Sequence, residues 1–158
     1  MRFKSLYSIS KCCVRTNNLT SRPFTTTKGV KQGCVVSPLL FITALDDAVK
    51  TAELKCRKMR VGNYRMRPVY YSSLAFADDL AIFGNNEEAL QHNINVWNEE
   101  LKKRGLEINP EKSKTMVIAR EMERHQIKLD AFTLEQVTSF KYLGAQIQED
   151  GRITEEIN

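Results

Sequence analysis

Acidic side chains are absent from the first 45 residues of this 158-residue chain, a stretch that carries seven Lys or Arg. A segment with bases and no acids favours a polyanionic partner, nucleic acid above all. An acid-poor, Arg- and Ser-containing start is also the composition of a mitochondrial transit peptide, although residues 11–45 carry a pattern of their own. The remaining 113 residues hold 17 bases against 19 acids, so the formal net charge of +5 resides in the first third. Cys12, Cys13, Cys34 and Cys56 form no CxxC pair, and His92 and His125 lie far from them, which argues against a zinc site. With no secretory signal, reduced thiols and an intracellular location are expected. No apolar run reaches the ~20 residues that span a bilayer. The longest, residues 35–45, is interrupted by Ser37, Pro38 and Thr43 and runs into Asp46 and Asp47, so no membrane association is expected. There is no internal repeat and no low-complexity segment. What is present, 42% hydrophobic and 27% charged residues, is the composition of an ordinary globular domain with a core.

Residues 11–28 read as a hairpin, with Asn17-Asn18 able to take the positive φ of a tight turn and a Thr-rich return strand. Gly29 to Gly33 is a loop. Ser37 reads as the cap and Pro38 as the first position of a helix reaching about Lys55, and Asp46 and Asp47 form its solvated face. Residues 57–68 read as basic and irregular. Residues 69–76 and 80–83 are β-rich runs flanking Ala77, Asp78 and Asp79, a tight hairpin with acids at its tip. Asn85 or Asn86 caps the next helix, and Glu88 completes a capping box if Asn85 is the cap. Leu90, Ile94, Trp97 and Leu101 then form one apolar face. Lys102, Lys103 and Arg104 suit the negative end of the helix dipole, and Gly105 stops the helix. Strands are expected at 106–108 and 115–119, joined through the turn-forming Asn109-Pro110-Glu111-Lys112. Further strands are expected near 126–129, 132–134 and 139–148, and the first turn of a helix at Thr154-Glu155-Glu156.

The adjacent carboxylates Asp78 and Asp79 are the sharpest feature. Two unit charges about 4 Å apart repel by about 4 kcal/mol at an effective dielectric of 20. A divalent cation reverses the sign, and Mg²⁺ takes hard oxygen ligands of this type. Two-metal phosphoryl transfer uses such carboxylates to hold ions ~3.5–4 Å apart. A solvated Asp-Asp turn is the bland alternative for these residues taken alone.

The ordered blocks resemble the reverse transcriptases of non-LTR retrotransposons. The segment Gly29-Val30-Lys31-Gln32-Gly33-Cys34-Val35-Val36-Ser37-Pro38-Leu39-Leu40-Phe41 is similar to the family's GxxQGxxxSPxLF block. Phe76-Ala77-Asp78-Asp79 is similar to its catalytic hairpin, Gly105 to Ser113 to its following GLxIN block, and Lys141-Tyr142-Leu143-Gly144 to its primer-supporting block. The resemblance spans about residues 11–150 and implies an α+β fold. That fold is a partial polymerase palm, an antiparallel sheet with helices packed on one face, over residues 1–150, with 151–158 as the start of a thumb. It implies RNA-directed DNA polymerase activity by two-metal nucleotidyl transfer, with RNA template, DNA primer and dNTP as partners, and a nuclear location. Asp78 and Asp79 match the catalytic, metal-binding pair for Mg²⁺ or Mn²⁺. Gln32, Gly33 and Lys112 match nucleotide-binding positions. Phe76, Ala77, Tyr142, Leu143 and Gly144 match primer-contacting positions.

The resemblance also places a third aspartate on a strand before Gly29, together with nucleotide-gripping fingers, and this sequence has no acid before Asp46. Weak metal binding and inactivity in isolation are therefore expected. Two other readings stay open: a non-catalytic nucleic-acid-binding module using the first third and the 57–67 segment, or a remnant without function. A maturase or another template-directed polymerase with a similar palm is a further relative, though the Gly29 and Tyr142 blocks favour the retrotransposon type. A palm lacking the strand that flanks residues 69–83 would expose a sheet edge and apolar surface. The isolated chain is thus predicted to self-associate in sedimentation experiments as concentration rises; a cooperatively folding monomer at high concentration would contradict this.

Overall fold

A computed structural model describes residues 10–26, 29–62, 65, 67–119 and 124–155. They divide into two compact units, residues 1–47 and 48–158, each taken by itself. The α+β character expected from the sequence is present. In place of one antiparallel sheet, however, the strands among the described residues fall into six ribbons of two or three strands, one of them parallel.

In the first unit, β1 (Ser10–Cys12) pairs antiparallel with β2 (Phe24–Thr26) in the register Lys11↔Thr25. An isolated bridge joins Arg15 to Thr20, and the Thr16 N–H donates to the Leu19 carbonyl at 2.9 Å. The expected hairpin is therefore there, with shorter strands; Thr27 and Lys28 lie outside the described residues. Neither Asn17 nor Asn18 takes a positive φ. The bridge leaves a four-residue loop, which is normally built on a type I turn and does not need the mirror-image geometry of a two-residue hairpin.

Helix α1 (Ser37–Lys55) begins at the expected cap itself, one position before the expected first residue Pro38. Its first carbonyl acceptor is Val36, which receives the Leu40 N–H at 3.1 Å. The Ser37 hydroxyl, buried, instead donates back to the Lys31 carbonyl at 2.7 Å. Asp46 and Asp47 are exposed, as a solvated helix face requires.

In the second unit, β3 (Met59–Val61) pairs antiparallel with β4 (Val69–Tyr71), so part of the stretch expected to be irregular is a strand. Backbone pairing with an apolar partner strand overrides the local polarity of a basic sequence. A bend at Ser72 divides the expected 69–76 strand, and β5 (Ser73–Phe76) pairs with β6 (Asp79–Ile82).

Helix α2 (Glu87–Lys103) follows. Asn86 is its cap: the side chain accepts the Ala89 N–H at 2.8 Å. This choice removes the capping box and frees Glu88 to pair with Arg57 at 3.0 Å. At the other end Gly105, with φ 72°, donates to the Lys102 carbonyl, and Leu106 donates to the Leu101 carbonyl. These two bonds are the Schellman pattern that ends a helix. Ile94, Trp97 and Leu101 are buried as their spacing requires, and Leu90 is half-buried.

Beyond α2 the structure departs from the expected strands. Residues 106–108 and 116–119 form no strand. A two-residue strand, β7 (Lys114–Thr115), runs parallel to β10 (Glu135–Gln136). Between them β8 (Lys128–Leu129) and β9 (Phe132–Thr133) form a hairpin. The last ribbon orders β11 (Ser139–Tyr142), β12 (Ala145–Gln148) and β13 (Ile153–Glu155). Ile153–Glu155 is thus a strand and not a helical turn, because the edge of β12 offers it backbone partners; Glu156 lies outside the described residues. The core comprises Ile94, Ile127, Leu129 and Leu134, with Ile82, Leu90 and Ile108 packed against it.

Glu100 is an unforeseen charge centre on α2, only 2% exposed. It accepts from Lys103 Nζ at 2.7 Å, Lys55 Nζ at 2.7 Å and Arg104 Nη1 at 2.9 Å. These bonds, that of Lys103 first, lower its carboxyl from the ordinary 4.5 to about 2. A depressed carboxylate contributes stability that is complete above its unfolded pKa and disappears as pH falls through the folded one. Wild-type stability minus that of Glu100→Gln should therefore be constant above about pH 5 and shrink between 4.5 and about 2, as urea unfolding at stepped pH would show. A difference that is flat across that window would refute the cluster.

Candidate active site

The β5–β6 hairpin reverses in two residues. Its register is Ser73↔Ile82, Leu74↔Ala81, Ala75↔Leu80 and Phe76↔Asp79, which leaves Ala77 and Asp78 as the turn. Ala77 sits at φ 52°, a left-handed conformation that residues with a Cβ seldom adopt. Directly opposed residues share a face of the ribbon. Ser73, Ala75, Leu80 and Ile82 therefore lie on one face, and Ile82 joins the core against α2. Leu74, Phe76, Asp79 and Ala81 lie on the other. Asp78 and Asp79 are both exposed, and Phe76 beside them is 63% exposed. The pleat thus sends Ile82 toward the helix and Asp79 away from it.

A second two-residue reversal joins β11 to β12, with Tyr142↔Ala145 as the closing pair. Leu143 and Gly144 take φ values of 50° and 87°. Positive φ at both central positions is the mirror-image turn that matches the twist of the flanking strands. The Tyr142 phenol is raised from its ordinary pKa, first by burial and then by the negative charge of Asp79. The charge of Asp79 is thus felt at the Tyr142 phenol.

Lys112 lies in the turn after α2, where the Asn109 side chain accepts from the N–H groups of Glu111 and Lys112 at 2.9 and 3.3 Å. Its side chain is exposed and makes no ion pair among the described residues. Gln32 and Gly33 belong to the first unit. They form the centre of a β-turn closed by the Cys34 N–H donating to the Lys31 carbonyl at 3.2 Å, with Gly33 at φ 80°. Positive φ at the third residue is what a type II turn demands of glycine. With Val30, Val35, Pro38 and Phe41 these residues line an open groove. Among the described residues no three Asp, Glu, His or Cys side chains group as a metal site. No described helix is long and apolar enough to cross a membrane.

The family model for reverse transcriptase (RNA-dependent DNA polymerase) matches residues 1–147. This chain belongs to the reverse transcriptase family. It is 29% identical over 156 residues to the retrovirus-related Pol polyprotein from type-1 retrotransposable element R2 of Nasonia vitripennis, a match covering 92% of this chain and 14% of that protein. It is 28% identical over 144 residues to the Pol polyprotein from type-2 retrotransposable element R2DM of Drosophila melanogaster, covering 85% of this chain and 13% of that protein. The R2 polyprotein of Popillia japonica is 29% identical over 135 residues, covering 78% of this chain and 21% of that protein. This chain therefore spans between about an eighth and a fifth of the length of these R2 relatives.

Two residues that hold the hairpin were not singled out from sequence. Asn93, fully buried on α2, donates to the Phe83 carbonyl at 2.7 Å, just past the end of β6. Its spacing from Ile94 marks it only as a polar residue beside an apolar face. Gly84 lies where a Cβ would come within 2.5 Å of the Leu90 backbone nitrogen. A lone glycine between a β-rich run and a helix cap was the available signal, for it marks a close approach. Gly144, by contrast, has nothing within 4 Å of an added Cβ and is constrained by φ alone. Gly144→Ala should therefore cost about 1 kcal/mol of backbone strain, and Gly84→Ala about 3 kcal/mol, because the hairpin must part from α2. Urea unfolding of the two variants tests the order, and equal costs would show that Gly84 is not the contact point.

Proposed function

We propose that this chain is the late part of a polymerase palm and works within a longer retrotransposon polyprotein in RNA-directed DNA synthesis. Residues 1–150 would be the palm portion, with a nuclear site of action. In this reading Asp78 and Asp79 are the metal-binding carboxylates. The reading is supported by one arrangement above all: adjacent exposed carboxylates on a two-residue reversal, on the face away from α2, with the Tyr142 turn within electrostatic reach of Asp79.

The donor set fits a hard divalent ion. Two carboxylates with no lysine or arginine paired to either among the described residues leave their oxygens open, and Mg²⁺ keeps several waters when few protein ligands are offered. When bound, such an ion lowers the pKa of a coordinated hydroxyl and offsets charge on a transferring phosphoryl group. The chain's own residues do the rest. Phe76 and Ala77 border the carboxylates and offer the apolar surface on which a primer end would rest. Tyr142, Leu143 and Gly144 offer a rigid turn beside it. Lys112 carries an exposed charge suited to nucleotide phosphates. Gln32 and Gly33, on a tight turn, offer an exposed carboxamide and backbone for nucleotide contact.

Binding is read directly from the loss of free Mn²⁺ signal in electron paramagnetic resonance, with Mg²⁺ as competitor. Weak binding is expected, and Asp78→Asn and Asp79→Asn should each reduce it about tenfold or more. Ultraviolet titration gives a second readout. Asp79→Asn should lower the Tyr142 pKa, and Mg²⁺ should lower it in wild type by masking the same charge. Metal binding that survives loss of both aspartates would defeat the assignment. Primer extension that requires Asp78 would establish activity in the chain alone.

A further inference from the structure

From residue 57 to residue 77 the chain contains no acid and five bases, Arg57, Lys58, Arg60, Arg65 and Arg67. The structure gives part of this stretch a form. β3 and β4 make an antiparallel ribbon in the register Met59↔Tyr71, Arg60↔Tyr70 and Val61↔Val69. Opposed residues share a face, so Arg60 and Tyr70 stand together on one side and Met59, Val61, Val69 and Tyr71 on the other. Both faces are open to solvent: Tyr70 is 56% and Tyr71 40% exposed, and Val61 and Val69 are 45% and 47% exposed. Arg57 is held to Glu88 at 3.0 Å. Lys58, Arg60 and Arg67 are exposed and form no ion pair among the described residues. A basic face that served only solubility would have no use for two tyrosines and two valines exposed between the bases.

We propose that the β3–β4 ribbon is a docking surface for a single strand of nucleic acid, separate from the carboxylate turn, with Lys58, Arg60 and Arg67 contacting phosphates and Tyr70 stacking on a base. Unpaired bases beside exposed aromatics are the combination that single strands recognise: backbone charge is met by the bases and each nucleobase presents a face to a ring. The absence of acids through residue 77 keeps repulsion from the strand low along the whole segment. The ribbon is also anchored. The backbone N–H and carbonyl of Arg57 are both bonded to the buried Asn93 side chain, so bound strand would lie on a fixed element. β4 leads through Ser72 directly into β5, so the ribbon is continuous in the chain with the hairpin bearing Asp78 and Asp79. The proposal goes beyond the metal-site reading and draws on it only for the choice of RNA as probe.

The test is fluorescence anisotropy of the full chain with a labelled unstructured RNA 20-mer, with chelator and without nucleotide, over a range of salt. Arg60→Glu/Arg67→Glu should weaken binding at least tenfold and make the salt slope shallower by about 1.4, ~0.7 for each lost phosphate contact. Tyr70→Ala should weaken it several-fold with the slope unchanged, and Tyr70→Phe should restore it, since stacking needs the ring and not the hydroxyl. Arg124→Glu/Lys128→Glu makes the same charge change elsewhere on the surface and should have a much smaller effect. Circular dichroism of each variant confirms folding. Equal losses from the two double variants, no effect of Tyr70→Ala, or binding of polyglutamate as tight as that of RNA would each overturn the proposal. The chelator keeps this result apart from the Mn²⁺ titration, so either reading can fail alone.

Discussion

The carboxamide of Asn93, without solvent exposure in the middle of α2, accepts the Arg57 N–H at 2.7 Å and donates to the carbonyls of Arg57 and Phe83 at 2.9 and 2.7 Å. Three backbone groups from two segments are thereby satisfied by one side chain. Each is part-buried, and left unpaired would cost up to about 1–3 kcal/mol. The consequence is geometric as well as energetic. Arg57 is two residues before β3, and Phe83 is one residue past β6, so the entry to one ribbon and the exit of the other are tied to the same point on the helix. Gly84 then lets the chain pass against the Leu90 backbone, and the Phe83 N–H closes onto the Ser72 carbonyl at 2.9 Å. The carboxylate turn is therefore far from flexible at its base even though its tip is exposed.

Given that base, the period-two alternation of a strand decides what the tip can do. Ile82 faces the core, and three positions earlier Asp79 must face away from it. Phe76 is carried to the same outer face by the register. Two like charges and a left-handed Ala77 at one reversal are unfavourable on their own, with the backbone conformation alone costing on the order of 1 kcal/mol. A rigid hairpin over-determines both. The second reversal, at Leu143 and Gly144 on a different ribbon, carries Tyr142, whose phenol senses the charge of Asp79.

How much of this the sequence disclosed follows from the range of the forces involved. Helix α2 was legible almost to its ends, because its apolar spacing, its Asn cap and Gly105 all act within a few residues. The hairpin bearing Asp78 and Asp79 was legible because three residues between apolar runs leave few alternatives, although Asp79 proves to belong to β6 and not to the turn. The β3 strand was not, since Lys58 and Arg60 obscure an alternation that only pairing with residues 69–71 makes meaningful. The parallel pairing of β7 with β10 is set by partners 21 residues apart, and the strand at 153–155 by the edge of β12. The cluster around Glu100 was hidden for the same reason: Lys55 is 45 residues away. The roles assigned to Gln32, Gly33 and Lys112 rest on the family blocks, because an exposed carboxamide, a turn glycine and a turn lysine have no local signature of their own.

Polar contacts, rather than apolar ones, fix how α2 meets the β8–β9 hairpin. The Gln91 side chain donates to the Lys128 carbonyl and accepts the Lys128 N–H, both at 2.7 Å, so the helix presents one amide as a neighbouring strand would. Glu87 accepts from Gln126 N–H at 3.0 Å and is held below the usual carboxylate range by that bond and then by His125. Asn98 and Lys102 bond the two oxygens of Asp130 at 2.9 and 2.6 Å. These four residues recur along one side of the helix, flanking Ile94. Apolar burial resists a one-residue slip of β8, which would turn Ile127 and Leu129 outward and Lys128 in, but accepts a two-residue slip, which keeps the alternation. The paired amide at Gln91 allows only the observed register, with Ile127 and Leu129 almost wholly buried. The helix that anchors the carboxylate hairpin through Asn93 is thus itself held in place by hydrogen bonds that tolerate no slip, and that specificity carries to Asp78 and Asp79.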